Sequence, residues 1–186
     1  MNKLKTIKDL KNLIPKKHTY KDSEQFMKEL DLESVTGKPF NQSMINKIVL
    51  FKVNRYAEIS NQILDELNRI NPKTRNIDKK LSRSVLHGLL MQKGVRLAMA
   101  STILRFKNPN IYQIIDQRVY RLIYGEKLNL SSSKSKKQHN IQIDLYFDYL
   151  DKLNQLSKDY GYNFSDIDRT FFHADRKYNK NFKLDW

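Results

Sequence analysis

The chain has 186 residues, enough for one compact domain or for two small lobes that share an interface. Its 35 lysines and arginines outnumber 20 acids and give a formal charge of +15, which favours a polyanionic partner, nucleic acid first and a membrane surface second. The absence of cysteine excludes disulfides, thiolate zinc sites, iron–sulfur clusters and cysteine nucleophiles, and no apolar run is long enough for a membrane-spanning helix.

The N-terminal half carries apolar residues at helical spacing. Residues 1–17, MNKLKTIKDLKNLIPKK, are predicted to contain a basic amphipathic helix whose apolar stripe ends at Pro15. They lack the uninterrupted apolar core of a secretory signal, so we expect a cytoplasmic protein. The periodicity leaves open whether the next helices form one long rod or break near Asn54. Helices are predicted over 21–35, 41–53 and 55–70.

The C-terminal half continues the helical pattern with clearer breaks. A turn at Gly94 separates two helices, Asn108 and Pro109 end the second, and a further helix is expected to begin at Asp116. Low hydrophobicity predicts a loop over 131–139. The chain is therefore predicted to be all-α, with about eight to ten helices. Those of this half cover 81–93, 96–106, 116–124, 141–161 and 165–178, the last with Ser165 as its N-cap.

The turn at Gly94 is a candidate phosphate-binding site. Glycine can adopt the positive φ that closes a tight turn, and Val95 would anchor the turn in the core. The amides that follow Gly94 begin a helix and would attract an anion, to which Lys93 and Arg96 add positive charge. Such a contact would not depend on base sequence. The alternative is an ordinary corner between two helices in which glycine serves as the C-cap.

Residues 85–125 resemble the helix-hairpin-helix superfamily of base-excision DNA glycosylases. QKGVRLAMASTIL, from Gln92, is similar to the family's glycine turn and the alanine-rich helix after it. NPNIYQIIDQRVYRLIYG, from Asn108, is similar to the segment that delivers the catalytic aspartate, which would be Asp116. The resemblance extends to IVLFKVNRYAEISNQI and DIDRTFFHADRKY. It implies a two-lobed fold, with residues 41–110 in one lobe, 1–40 plus 111–186 in the other, and the active-site cleft between them.

The resemblance implies a monomeric, nucleoid-associated enzyme that acts on double-stranded DNA and flips a damaged or modified base out of the duplex. The hairpin that grips the backbone would be Gln92, Lys93, Gly94, Val95 and Arg96. Asn54 would fill the gap left by the flipped base, and Arg55 would face the opposing base. The alternatives are that Asp116 only caps its helix, and that Asn54 and Arg55 form a polar patch on a continuous helix.

Two departures from the family pattern bear on mechanism. Arg96 stands where the family has a second glycine. Ala98 stands where bifunctional members carry a nucleophilic lysine, which argues for a monofunctional enzyme that uses water and forms no Schiff base. Breaking an N-glycosidic bond leaves positive charge on the sugar, and a carboxylate at Asp116 would stabilise that charge and orient the water.

No cofactor is expected. The four histidines show no metal-ligand spacing, although related enzymes bind a monovalent cation through hairpin carbonyls. A non-catalytic helix-hairpin-helix module that binds DNA is the second hypothesis, and a helical protein on a membrane surface is the third. The excised base stays open among alkylated purines, oxidised guanine, deaminated bases and phage-type modifications.

Overall fold

A computed structural model describes residues 4–16, 37, 39–53, 59–92 and 94–184. Within these ranges the secondary structure is helical and contains no strand, so the all-α prediction is confirmed. None of the described helices is both long enough and apolar enough to cross a membrane. The α-helices are α1 (Ile7–Leu10), α2 (Gln42–Val53), α3 (Asn61–Asn68), α4 (Lys79–Met91), α5 (Leu97–Lys107), α6 (Gln117–Tyr124), α7 (Lys136–Tyr160) and α8 (Ile167–Tyr178), and a 3-10 turn covers Phe164–Asp166.

Two local predictions are wrong because side-chain caps start the structure at other residues than predicted. The predicted loop over 131–139 ends early, since the Ser135 side chain accepts a hydrogen bond from the amide of Gln138 and starts α7 at Lys136. Ser165 does not cap α8. Its own amide instead donates to the side chain of Asn163, which caps the 3-10 turn that precedes α8.

Two other predictions fall outside the described residues. They are the helix over 21–35 and the break near Asn54. On either side of the second, α2 ends at Val53 and α3 begins at Asn61, after Ser60 as N-cap residue.

The core surrounds α5. Every residue of this helix except Ala98 is buried, and α2 and α4 pack against it. Neighbouring helices approach closely where side chains are small: a Cβ placed on Gly88 of α4 would lie 2.2 Å from Cδ1 of Ile63 on α3. The buried apolar side chains of the described helices form one continuous cluster. The division into two lobes stays a prediction.

α6 is fixed to α8 by a buried ion pair as well as by its apolar face. Val119, Leu122 and Ile123 are buried, as the spacing predicts. On the same helix, Arg121 donates from Nε and Nη2 to the two carboxylate oxygens of Asp175, at 2.8 and 2.7 Å. Because Asp175 has no exposed surface, this bidentate contact locks the rotation of α6 about its own axis.

Candidate active site

The turn between α4 and α5 has the closed geometry that the sequence predicts. Gly94 has φ of 81°, the left-handed conformation that glycine adopts without strain. The amide of Val95 donates to the carbonyl of Gln92 at 3.3 Å, and the Val95 side chain is buried as the anchor of the turn. Lys93 lies outside the described residues.

The start of α5 presents backbone amides without a side-chain cap. Arg96 is the N-cap residue, its side chain forms no capping hydrogen bond, and it is exposed. The Gln92 side chain turns back onto its own helix and donates from Nε2 to the carbonyl of Gly88 at 3.1 Å. Any DNA contact at Gln92 would therefore use its backbone. Ala98, one residue into the helix, offers no functional group.

Asp116 caps α6 and is at the same time partly accessible. Its Oδ1 accepts a hydrogen bond from the amide of Arg118 at 2.8 Å. Its Oδ2 lies 3.5 Å from Nζ of Lys52, and its side chain is 15% exposed. The carboxylate thus neither faces bulk solvent nor is sealed in the core. The predicted cap is confirmed, and the catalytic role stays a prediction.

Lys52 is a site residue that sequence reasoning missed. It lies in the last turn of α2, 64 positions before Asp116, and its side chain is 18% exposed. A signal was available, because Lys52 follows Ile45, Ile48 and Val49 on the buried stripe of α2. A lysine that continues such a stripe needs an anionic partner or a route to solvent.

Two buried tyrosines of α7 hold the segment that leads to Asp116. The hydroxyl of Tyr146 donates to the carbonyl of Gln113 at 2.8 Å, and that of Tyr149 donates to the carbonyl of Ile114 at 2.7 Å. Desolvation by burial raises the pKa of both tyrosines well above the ordinary value, and neighbouring ionisable groups, Asp168 among them, add to the shift. Both hydroxyls therefore stay protonated and remain donors.

The amides of the same segment are held from two further helices. The amide of Ile114 donates to Oδ2 of Asp168 on α8, and the amide of Ile115 donates to Oγ of Ser101 on α5, each at 3.1 Å. Three helices therefore fix residues 113–115 through side chains. Asp116 follows directly, so its backbone position is set before any ligand arrives.

A cavity of about 230 Å³ lies beside this site, along α6. Gln117, Arg121 and Gly125 line one wall, and Leu4 and Phe182 close it from the chain ends. Gln117 follows Asp116 directly, but Asp116 itself does not line the cavity.

The histidines of the described residues form no metal site, and the residues predicted to fill the gap are not described. No group of three or more potential metal ligands occurs among the described residues. His87 and His139 meet edge to face with ring centroids 5.5 Å apart, at the contact of α4 with α7. Asn54 and Arg55 lie outside the described residues.

In comparisons with protein-family models, curated proteins and solved structures, the chain gives no significant match. Any functional assignment therefore depends on the residues themselves.

Proposed function

We propose that the protein is a monofunctional DNA N-glycosylase, which flips a damaged or modified base out of duplex DNA and hydrolyses its N-glycosidic bond. The observation that carries the proposal is Asp116, a partly accessible carboxylate on a backbone held by Tyr146, Tyr149, Asp168 and Ser101. A helix cap alone does not require a preceding segment fixed from three helices.

Hydrolysis of the N-glycosidic bond requires one fixed negative charge beside the sugar. As the bond between C1′ and the base breaks, its electron pair leaves with the base and positive charge develops on the deoxyribose. The Asp116 carboxylate would stabilise that charge and orient the water whose oxygen forms the new bond to C1′. Extruding the nucleotide costs roughly a few kcal/mol, least for a damaged base.

The hairpin would grip the DNA backbone beside the extruded nucleotide. The uncapped amides at the start of α5 and the exposed Arg96 would donate hydrogen bonds to the oxygens of one phosphate group. A side chain at the family's second glycine position narrows the approach to the amides, so Arg96 would complete the contact with its own guanidinium. This grip is independent of base sequence.

Lys52 would belong to the binding surface and not to the chemistry. A separation of 3.5 Å and partial exposure make its ion pair with Asp116 a loose one. A phosphate flanking the extruded nucleotide could take over the ammonium and leave Oδ2 to the sugar.

A second candidate is a DNA-binding module without catalysis. The cap bond to Arg118 and the ion pair with Lys52 by themselves account for an aspartate at position 116. Arg96 in place of glycine also fits a module that only needs backbone contacts.

One experiment separates the two candidates. Duplexes with alkylated, oxidised, deaminated and hypermodified bases are incubated with the protein, abasic sites are cleaved with hot alkali, and released bases are identified by mass spectrometry. The proposal predicts strand cleavage only after alkali and one class of free base. Tight duplex binding with no base released from the panel or from varied genomic DNAs would favour the module.

A further inference from the structure

The two ends of the described chain are strongly basic and exposed. Residues 4–16 and 176–184 contain eight lysines and arginines and one acid, Asp9, which is bonded to Thr6. All eight cations are exposed. They are Lys5, Lys8, Lys11, Lys16, Arg176, Lys177, Lys180 and Lys183, and we refer to them as the terminal basic face.

Hydrogen bonds make the two segments one surface. The amide of Lys5 donates to Oδ1 of Asn179 at 2.8 Å, and Nδ2 of Asn179 donates back to the carbonyl of Lys5 at 2.6 Å. The hydroxyl of Tyr162 donates to the carbonyl of Lys11 at 3.0 Å, and Nζ of Lys16 donates to the carbonyl of Tyr160. The backbones that carry these cations are therefore held relative to one another.

Five of these cations, Lys5, Lys11, Lys16, Arg176 and Lys177, lie over aromatic rings. None of the eight forms an ion pair within the part of the chain that the structure describes. The Nζ atoms of Lys5 and Lys177 lie 5.8 and 5.1 Å from the ring centroid of Tyr178. Lys16 lies 4.2 Å from that of Tyr162, and Lys11 lies 5.7 Å from that of Tyr160. The rings hold the ammonium groups without neutralising them.

We propose that the terminal basic face binds the phosphate backbone of nucleic acid, as a contact site separate from Asp116 and the hairpin. Cations that no acid of the described residues neutralises complement a row of phosphates, and the counterions that those phosphates release supply the binding free energy. The contacts of this face would be made between its cations and the phosphates and not with base edges. Binding at this face is therefore insensitive to base sequence.

The terminal basic face lies within reach of a duplex held at Asp116. The methyl group of Thr6 would be 3.3 Å from a Cβ added to Gly125, so the N-terminal segment packs at the C-terminal end of α6. Asp116 caps the other end of this eight-residue helix, about 12 Å away. The inference requires nucleic-acid binding only and does not depend on base excision.

The test compares two triple variants of equal charge. One replaces Lys8, Lys177 and Lys180 of the face with glutamine. The control replaces Lys134, Lys136 and Lys137, which are exposed at the opposite end of the 25-residue α7 from Tyr160, about 36 Å away. Fluorescence anisotropy with a random-sequence duplex gives Kd over a series of salt concentrations, and urea unfolding verifies that both variants fold.

The inference predicts that the face variant binds at least about tenfold more weakly at low salt, with a salt slope reduced by about 2 to 3. The control triple should change both quantities much less. Equal losses in the two triples would overturn the proposal, because bulk charge alone would then explain them. Unchanged DNA affinity together with lost binding to anionic lipid vesicles would also overturn the proposal. Lipid binding is measured because the apolar side chain of Leu13 is 57% exposed. Base release at saturating DNA reports separately on Asp116.

Discussion

At the scale of single residues, the site depends on how Asp116 and Lys52 share their charges. Oδ1 of Asp116 accepts the hydrogen bond that caps the helix, whereas the partner of Oδ2 among the described residues is the ammonium group of Lys52, at 3.5 Å. Under the proposed function, this asymmetry would leave one oxygen able to change partners when DNA binds, with a binding role for the lysine and a chemical role for the aspartate.

Replacing Lys52 with glutamine should affect binding more than chemistry. We expect Kd for duplex DNA to rise several-fold and the salt slope to fall by about 0.9, because one phosphate contact is lost. The single-turnover rate at saturating DNA should change by less than about threefold, and Lys52→Arg should restore Kd. A rate loss as large as that of Asp116→Asn would show instead that the lysine takes part in the chemistry.

At the scale of elements, the hairpin between α4 and α5 can be tested through its glycine. Gly94→Ala places a Cβ on a backbone with φ of 81° and should destabilise the fold by about 1 kcal/mol. Gly161→Ala is a matched control, because Gly161 has φ of 67° and open space around it at the end of α7. We expect similar losses in urea unfolding for both variants, but weaker DNA binding for Gly94→Ala alone. Equal DNA affinities would remove the hairpin from the binding surface.

The contact between α4 and α7 should weaken in acid because of His139. Desolvation, followed by the charges of His87 and Lys134, lowers the pKa of His139 from its ordinary 6.5. Between the ordinary pKa and the lowered one, the unfolded chain binds more protons than the folded chain. The contribution of His139 to the free energy of unfolding is therefore fully present above about pH 6.5 and is lost as the pH decreases through that value. Replacing His139 with glutamine should therefore flatten the dependence of the free energy of unfolding on pH in this window. An unchanged dependence would contradict the assignment.

At the scale of the whole molecule, the sequence predicts the helices better than the site. Apolar spacing locates α2, α4 and α6 because each of these helices buries one stripe, whereas α5 is buried nearly all round and is located by the breaks at its ends, and glycine and proline mark the turns. Periodicity cannot reveal which hydroxyl meets which carbonyl. Tyr146 and Tyr149 look like core aromatics until their partners at Gln113 and Ile114 are known. The pairing of Lys52 with Asp116 joins residues that are too far apart in the chain for local patterns to connect.

The structure shows where the basic residues lie, which composition alone does not. Eight of its 35 basic residues gather on the terminal basic face, while buried cations such as Arg105 and Arg121 serve the fold. A net charge of +15 therefore overstates the positive charge that any one surface offers to a polyanion. Binding strength should follow the position of the removed charges and not their number.

The proposed function requires that Asp116 perform chemistry in addition to capping α6, and one comparison of variants tests this requirement. Asparagine caps helices as well as aspartate does, so Asp116→Asn should preserve the fold. Asp78→Asn provides the control, since Asp78 caps α4 in the same way, with Oδ1 accepting from the amide of Leu81 at 2.9 Å.

The decisive measurement is the single-turnover rate of base release, on the duplex that the wild-type protein processes. The account predicts a fall of about a hundredfold or more for Asp116→Asn, with unchanged DNA affinity and stability, and a wild-type rate for Asp78→Asn. A rate for Asp116→Asn that equals the wild-type rate would contradict it.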